Sequence, residues 1–113
     1  MTNVEAYDYL ESRAMRHGIT YSDLMDITPV TVSDCPQEAA AFWETKHVSH
    51  IYPQSTHPHL ADDPSNMMPE DPTPNLQRGD EVMTDGEVLT TWIDNQVDAS
   101  VIDVQMQTDF VLL

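Results

Sequence analysis

The sequence predicts a small single-domain α+β protein spanning residues 1–113, with helices at both ends and a short strand–loop–helix unit between them. Three observations lead there. Apolar residues recur at helical intervals up to about residue 45 and again beyond residue 84. Between them His47-Val48-Ser49-His50-Ile51-Tyr52 is rich in β-formers and is closed by Pro53. Residues 53–65 hold proline, serine, threonine and aspartate without any period, as a loop would. A length of 113 residues suits one core, and 40% hydrophobic residues spread along the whole chain argue against wholesale disorder.

Each element has its own signal. Thr2 and Glu5 have the spacing of a capping box. Val4, Tyr7, Leu10 and Ala14 follow at helical intervals and Gly18 is a stop, so a helix is expected over 3–17. Thr20 and Asp23 cap a second short turn over 21–25, ended by Thr28-Pro29 because a residue before proline is pushed towards extended backbone. Ser33 or Asp34 then caps a helix with Pro36 in its first turn, through Ala39, Ala40, Ala41, Phe42 and Trp43 to about Thr45. Residues 1–46 thus read as helical support. A brief strand or turn is expected around Asn66-Met67-Met68, and a helix begins near Asp71-Pro72-Thr73-Pro74 with Asn75 in its first turn. Thr84 and Glu87 form another capping box, opening a helix through Val88, Leu89, Trp92, Ile93 and Val97. From Val101 to Leu113 the partial alternation of Ile102, Val104 and Met106 with polar residues predicts a strand or an extended tail. Trp43, Trp92, Met67 and Met68 are expected in the core, and Asp94, Asp98 and Asp103 on a solvated face.

Charge constrains function. Four basic residues (Arg13, Arg16, Lys46, Arg78) face twenty acidic ones, for a formal net charge of -16. Such a surface repels phosphate backbones, whose affinity for proteins comes largely from lysine and arginine displacing counterions. It suits a salt-adapted host, an acidic phage-type protein or a mimic of DNA. Residues 1–46 carry eight acids and three bases, and residues 80–113 carry eight acids and no base. The middle, 47–79, has only four acids, one base and four of the five histidines. No apolar run is long enough to cross a bilayer, and the N-terminus lacks the basic start and apolar centre of a signal peptide, so a soluble, cytoplasmic protein with no membrane association is expected. The lone Cys35 has no partner for an internal disulfide and reads as a buried, inert thiol.

Within that middle segment, His50-Ile51-Tyr52-Pro53 is followed by Asn66 and then by Asn75-Leu76-Gln77-Arg78-Gly79. This ladder resembles the HNH (ββα-metal) endonucleases, which open on an H-I-x-P element. Their central Asn is followed nine residues later by His or Asn, and then by a basic residue and a glycine. The resemblance covers residues 47–79. It implies that His50 is the general base, with an imidazole that titrates near working pH. It also implies that Asn75 offers an amide oxygen to Mg2+ or Mn2+, that Asn66 ties the loop between strand and helix, and that Arg78 reaches a phosphate. The family usually has Asp or His just before the base, as a metal ligand, where this chain has Ser49. His47, on the same strand face, or His57, His59, Asp62 and Asp63 in the loop are the candidate substitutes. The cysteine pairs that brace many such fingers are missing, so the flanking helices would brace this one.

Plainer roles are open to the same residues. His50 suits a hydrogen-bonded strand end, and Asn66 and Asn75 suit turn and cap chemistry. Arg78 can pair with a carboxylate such as Asp71 or Glu81. His57-Pro58-His59 suits a transition metal or simply an exposed loop. Three functions follow. The first is a metal-dependent DNA endonuclease or nickase of phage type, acting in the host cytoplasm, whose substrate DNA is delivered by a partner protein. The second is an inactive HNH-like binding protein that needs no cofactor and whose acidic flanks engage a basic protein surface as DNA would. The third is a minor virion component. The apolar end, Phe110 to Leu113, reads as a docking peptide or a buried edge strand.

Overall fold

The computed structural model describes residues 1–112 and the side chains of residues 1–109. Four helices come first: α1 (Asn3–Arg16), α2 (Tyr21–Asp26), α3 (Val30–Ser33) and α4 (Pro36–Glu44). Strands β1 (His47–His50) and β2 (Met67–Glu70) follow, then α5 (Pro72–Arg78) and α6 (Asp85–Leu112). The architecture is α+β, with the elements up to β2 and α5 in the expected order apart from the added turn α3, and with a helix in place of the strand or extended tail expected from Val101.

Helix α1 starts at the Thr2–Glu5 capping box, where each side chain accepts the other residue's backbone N–H at 3.1 Å. Its buried stripe is Ala6, Leu10 and Ala14, with Arg13. Val4 and Tyr7, which the apolar spacing placed on that stripe, are exposed. Alanines let α1 approach α4 closely, and the bulkier pair points outward. Helix α2 has the same device at Thr20 and Asp23. Helix α3 is a single turn begun by Pro29 that the sequence did not announce. Helix α4 has Cys35 as its N-cap with no side-chain hydrogen bond, correcting the assignment of Ser33 or Asp34, and Pro36 fills the first position, where the missing N–H costs nothing.

The core gathers Leu10, Leu24, Val32, Phe42 and Trp43, all fully buried, between α1, α3, α4 and α6. A polar link inside it is satisfied at both ends. Trp43 Nε1 donates to Thr28 Oγ1 at 2.9 Å, and that hydroxyl donates to Leu24 O at 2.6 Å.

Strands β1 and β2 pair antiparallel, with His47 opposite Glu70 and His50 opposite Met67. Two isolated strands would be marginal in water. Here every residue of β2 is buried, Met67 and Met68 included, and α6 covers β2 while α5 packs on β1. Asn95 on α6 donates to Pro69 O at 2.7 Å, so the strand's carbonyl is not left bare. Lys46, its side chain 1% exposed, joins Asp71 at the start of α5 (2.7 Å) to Asp98 on α6 (2.6 Å). Asp98 is therefore tied down rather than merely solvated.

Two corrections concern α6. Residues 101–112 are helical and not a strand, because Ile102 and Met106, one turn apart, lie towards the body while Val104 points away. An alternation over so few residues is equally a helical stripe seen from two sides. Trp92, expected in the core, is 56% exposed. The backbone of 110–112 continues α6 and is no edge strand, whereas the side chains of Phe110 to Leu113, read from the sequence as a docking peptide or a buried edge strand, lie outside the described residues.

Candidate functional site

The site is built from β1, β2 and α5, with the loop of residues 51–66 between the strands. Asn66 governs that loop. It is buried, its Oδ1 accepts from Tyr52 N at 2.9 Å, and its Nδ2 donates to Tyr52 O at 3.0 Å and Leu60 O at 3.3 Å. Its own carbonyl accepts from Ile51 N at 2.9 Å. One side chain thus holds the outgoing strand, the middle of the loop and the returning strand together. A buried amide with this full set of partners is rigid, since loss of any partner leaves a polar group unpaired.

Side chains of β1 alternate between two faces. His47 and Ser49 face α5, and each meets one residue of it. Asn75 Nδ2 lies 3.1 Å from His47 Nδ1, which accepts and so carries its proton on Nε2. One helical turn on, Arg78 Nη2 donates to Ser49 Oγ at 2.8 Å. Asn75 therefore stands opposite His47, and the guanidinium stands opposite Ser49. Ser49 is 1% exposed, and beyond Arg78 it meets only Met83 Sδ, at 3.9 Å.

Arg78 is held from the other side by Glu70 on β2. Both guanidinium nitrogens donate to the two carboxylate oxygens, one of them at 2.9 Å, and Glu87 on α6 adds a contact at 3.4 Å. The pair is withdrawn from solvent, with side chains 6% and 4% exposed. These carboxylates, Glu70 foremost, raise Arg78 above its usual pKa although burial opposes them. Gly79 follows at φ 57°, a left-handed conformation that ends α5 and that other residues rarely adopt. The partners of Arg78 are thus Glu70 and Glu87, rather than Asp71 or Glu81.

His50, at the end of β1, is half-buried on the opposite face. Its Nε2 donates to Ala61 O at 2.9 Å, which leaves Nδ1 as the acceptor for the Gln54 amide at 3.1 Å. Both ring nitrogens have partners. His17 is nearby, and its pKa is lowered by burial first and then by the positive charges of Arg13 and Arg16. His57 and His59 lie in the loop with ring centres 6.0 Å apart, His59 exposed and the His57 ring tilted against Tyr52 at 5.0 Å.

A cleft of about 560 Å3 opens beside the His47–Asn75 contact and runs to the end of α1, where Arg13, Arg16 and His17 line it. Arg13 is buried there, donating to Tyr9 Oη, to Trp43 O at 2.8 Å and to Lys46 O, so it closes the carboxyl end of α4. Of the four basic side chains, only Arg16 is exposed. Of the twenty acidic residues, only Glu38 and Glu70 are buried.

A hard divalent ion does not fit at Ser49, because its hydroxyl is buried against a guanidinium that would repel the ion. His47 and Asn75 alone offer one imidazole and one amide, with no carboxylate. Among the described residues no group of three or more His, Cys, Asp or Glu side chains is placed to hold a metal. Glu70, Gln54 and Met83 take part in the site although no motif marked them. The available signal for Glu70 was a carboxylate ending an otherwise apolar strand, eight residues before the one base of the segment. No protein-family model, no curated protein and no solved structure matches this chain.

Proposed function

We propose that this chain is a non-catalytic, acidic binding protein built on an HNH-like finger, and that its negative surface occupies the basic, nucleic-acid-binding surface of a protein partner. The observation that carries this reading is the placement of the cations. Arg13, Lys46 and Arg78 are turned inward to carbonyls and carboxylates, and Arg16 alone is exposed among eighteen acidic residues that are not buried. A surface with that balance repels DNA and is attracted to whatever binds DNA. The site itself agrees: the Arg78 guanidinium lies where the resemblance calls for a metal ligand's ion, and it is already neutralised by Glu70.

Competition is the test. The chain is titrated into a complex of a basic DNA-binding enzyme, such as a restriction endonuclease, with a fluorescent duplex, alongside poly-glutamate of equal total charge. The expected result is displacement of the duplex by the folded chain at concentrations where poly-glutamate has no effect, weakening as salt rises. Displacement no better than poly-glutamate across a panel of such enzymes sinks the reading.

A second reading, a metal-dependent DNA endonuclease, is favoured by specific features. Asn66 locks the loop, His50 ends β1, and the cleft beside His47 and Asn75 collects Arg13, Arg16 and His17, where a phosphate would lie. It calls for Mg2+ or Mn2+ and for a partner that delivers DNA. Nicking of supercoiled plasmid with either ion, lost in His50→Ala, would establish it against the first.

A further inference from the structure

Helix α6 is apolar on two opposite sides, and only one of them is covered. Asn95, Ala99 and Ile102 face the body. On the far side Leu89, Ile93, Val97, Val101 and Val104 succeed one another at helical spacing, between 47% exposed at Ile93 and 62% at Val104. Ser100, Gln107 and Thr108 complete this face, and it carries no charge. An uncharged stripe of five large aliphatic side chains is out of place on a chain of net charge -16 unless something covers it.

We infer that the outer face of α6 is a docking surface for a protein segment whose own apolar ridge is flanked by lysine or arginine. Charge selects this occupant. Asp94 flanks the stripe on one side and Asp103 on the other, and α6 has no basic residue at all. A ridge with basic flanks meets apolar with apolar and acid with base, the pattern that sets partner choice in helix pairs. A second copy of this chain offers the opposite match, since its acidic flanks would meet their like. The stripe, with α6 running about 42 Å at the usual rise per residue, accepts a helix of several turns. No residue of the stripe takes part in the proposed function, so a failure of either leaves the other standing.

The test uses the full chain and three synthetic peptides of about three heptads each. One has leucine at the a and d positions with lysine at e and g. The second keeps the leucines and has glutamate for lysine, and the third keeps the lysines and has serine for leucine. Calorimetry is expected to show binding of the leucine–lysine peptide at one per chain, and at least tenfold weaker binding of the other two. Amide exchange should slow over residues 89–108 and not elsewhere. Val97→Ser with Val101→Ser, both exposed, should weaken that binding at least tenfold with unchanged circular dichroism. Equal binding of the serine–lysine peptide, protection outside 89–108, or full binding by the double variant would each overturn the proposal. So would sedimentation of the chain as a dimer that the same double variant dissolves. The exchange experiment is done on the wild-type chain, so it decides even if the variant does not fold.

Discussion

Arg78 on α5 and Glu70 on β2 form a two-pronged ion pair that is almost wholly withdrawn from water, and Ser49 on β1 accepts the guanidinium's remaining reach at 2.8 Å. This one cation joins all three elements of the finger. A buried pair of this kind adds little net stability over an apolar replacement, but its halves depend on one another. Arg78→Ala leaves Glu70 charged and unpaired, and should cost about 3–5 kcal/mol. Replacing both partners, Arg78→Met with Glu70→Leu, should recover most of that loss. Urea unfolding of the two variants checks it, and equal destabilisation of both would show that the guanidinium's bond to Ser49 matters more than its charge.

Asn66 should be as sensitive for a different reason. Asn66→Ala removes no large volume but leaves Tyr52 N–H and Tyr52 O without the partners they have now, while Leu60 O keeps Asp63 N–H. Each unpaired buried group costs about 1–3 kcal/mol. The loop over 53–65 should then become a site of rapid proteolysis in a chain that otherwise keeps its helices. Limited proteolysis read by mass spectrometry distinguishes this from global unfolding.

Gly18 separates two effects by magnitude. It lies at φ 70°, and a Cβ there would come within 2.8 Å of Asp62 Oδ1. The Asp62 side chain is exposed and can swing away, whereas left-handed backbone costs a non-glycine residue about 1–2 kcal/mol wherever its neighbours go. Gly18→Ala should therefore lose about 1 kcal/mol both in the wild type and in an Asp62→Ala background. If Asp62→Ala removes the penalty, the contact dominates and the backbone argument is wrong.

Glu38 gives a pH dependence with a definite sign. It is buried beside Asp103, and Oε1 has no hydrogen-bond partner. Burial first, and then Asp103, raise its pKa above the ordinary 4.5. A raised carboxyl is held in its neutral form by folding, so the stability it contributes is complete below 4.5 and is lost as pH rises through the folded value. Glu38→Gln should accordingly melt a few degrees higher than wild type at pH 7, and at about the same temperature at pH 4. A constant difference at both values would place the effect in packing instead.

Much of the local structure was legible in the sequence. The three capping boxes at Thr2, Thr20 and Thr84 are each formed, since a side chain reaching its own N3 amide needs nothing from the rest of the fold. The same holds for the stop at Gly18 and for the strand at His47, which residue type and spacing suffice to set. The signals failed where one pattern serves two structures. The alternation of Ile102, Val104 and Met106 fits a strand or a helix, and the choice was made by α3, α4 and β2, which offered α6 a surface to pack on.

The candidate site divides in the same way. From the sequence alone came the order strand, loop, strand, helix and the residues that stand on it, because propensity, proline and cap chemistry act within a few residues. Which of those residues meet was decided only by the tertiary structure. A strand repeats every two residues and a helix about every three to four, so the lateral seating of α5 on β1 chooses the pairs. It set Asn75 against His47 and Arg78 against Ser49, and it brought Glu70 across from β2 to meet the cation. Net charge was also fixed by composition, but its effect was not. Burial of Arg13, Lys46 and Arg78 removed three of the four cations from the surface, and only folding could decide which charges would face the water.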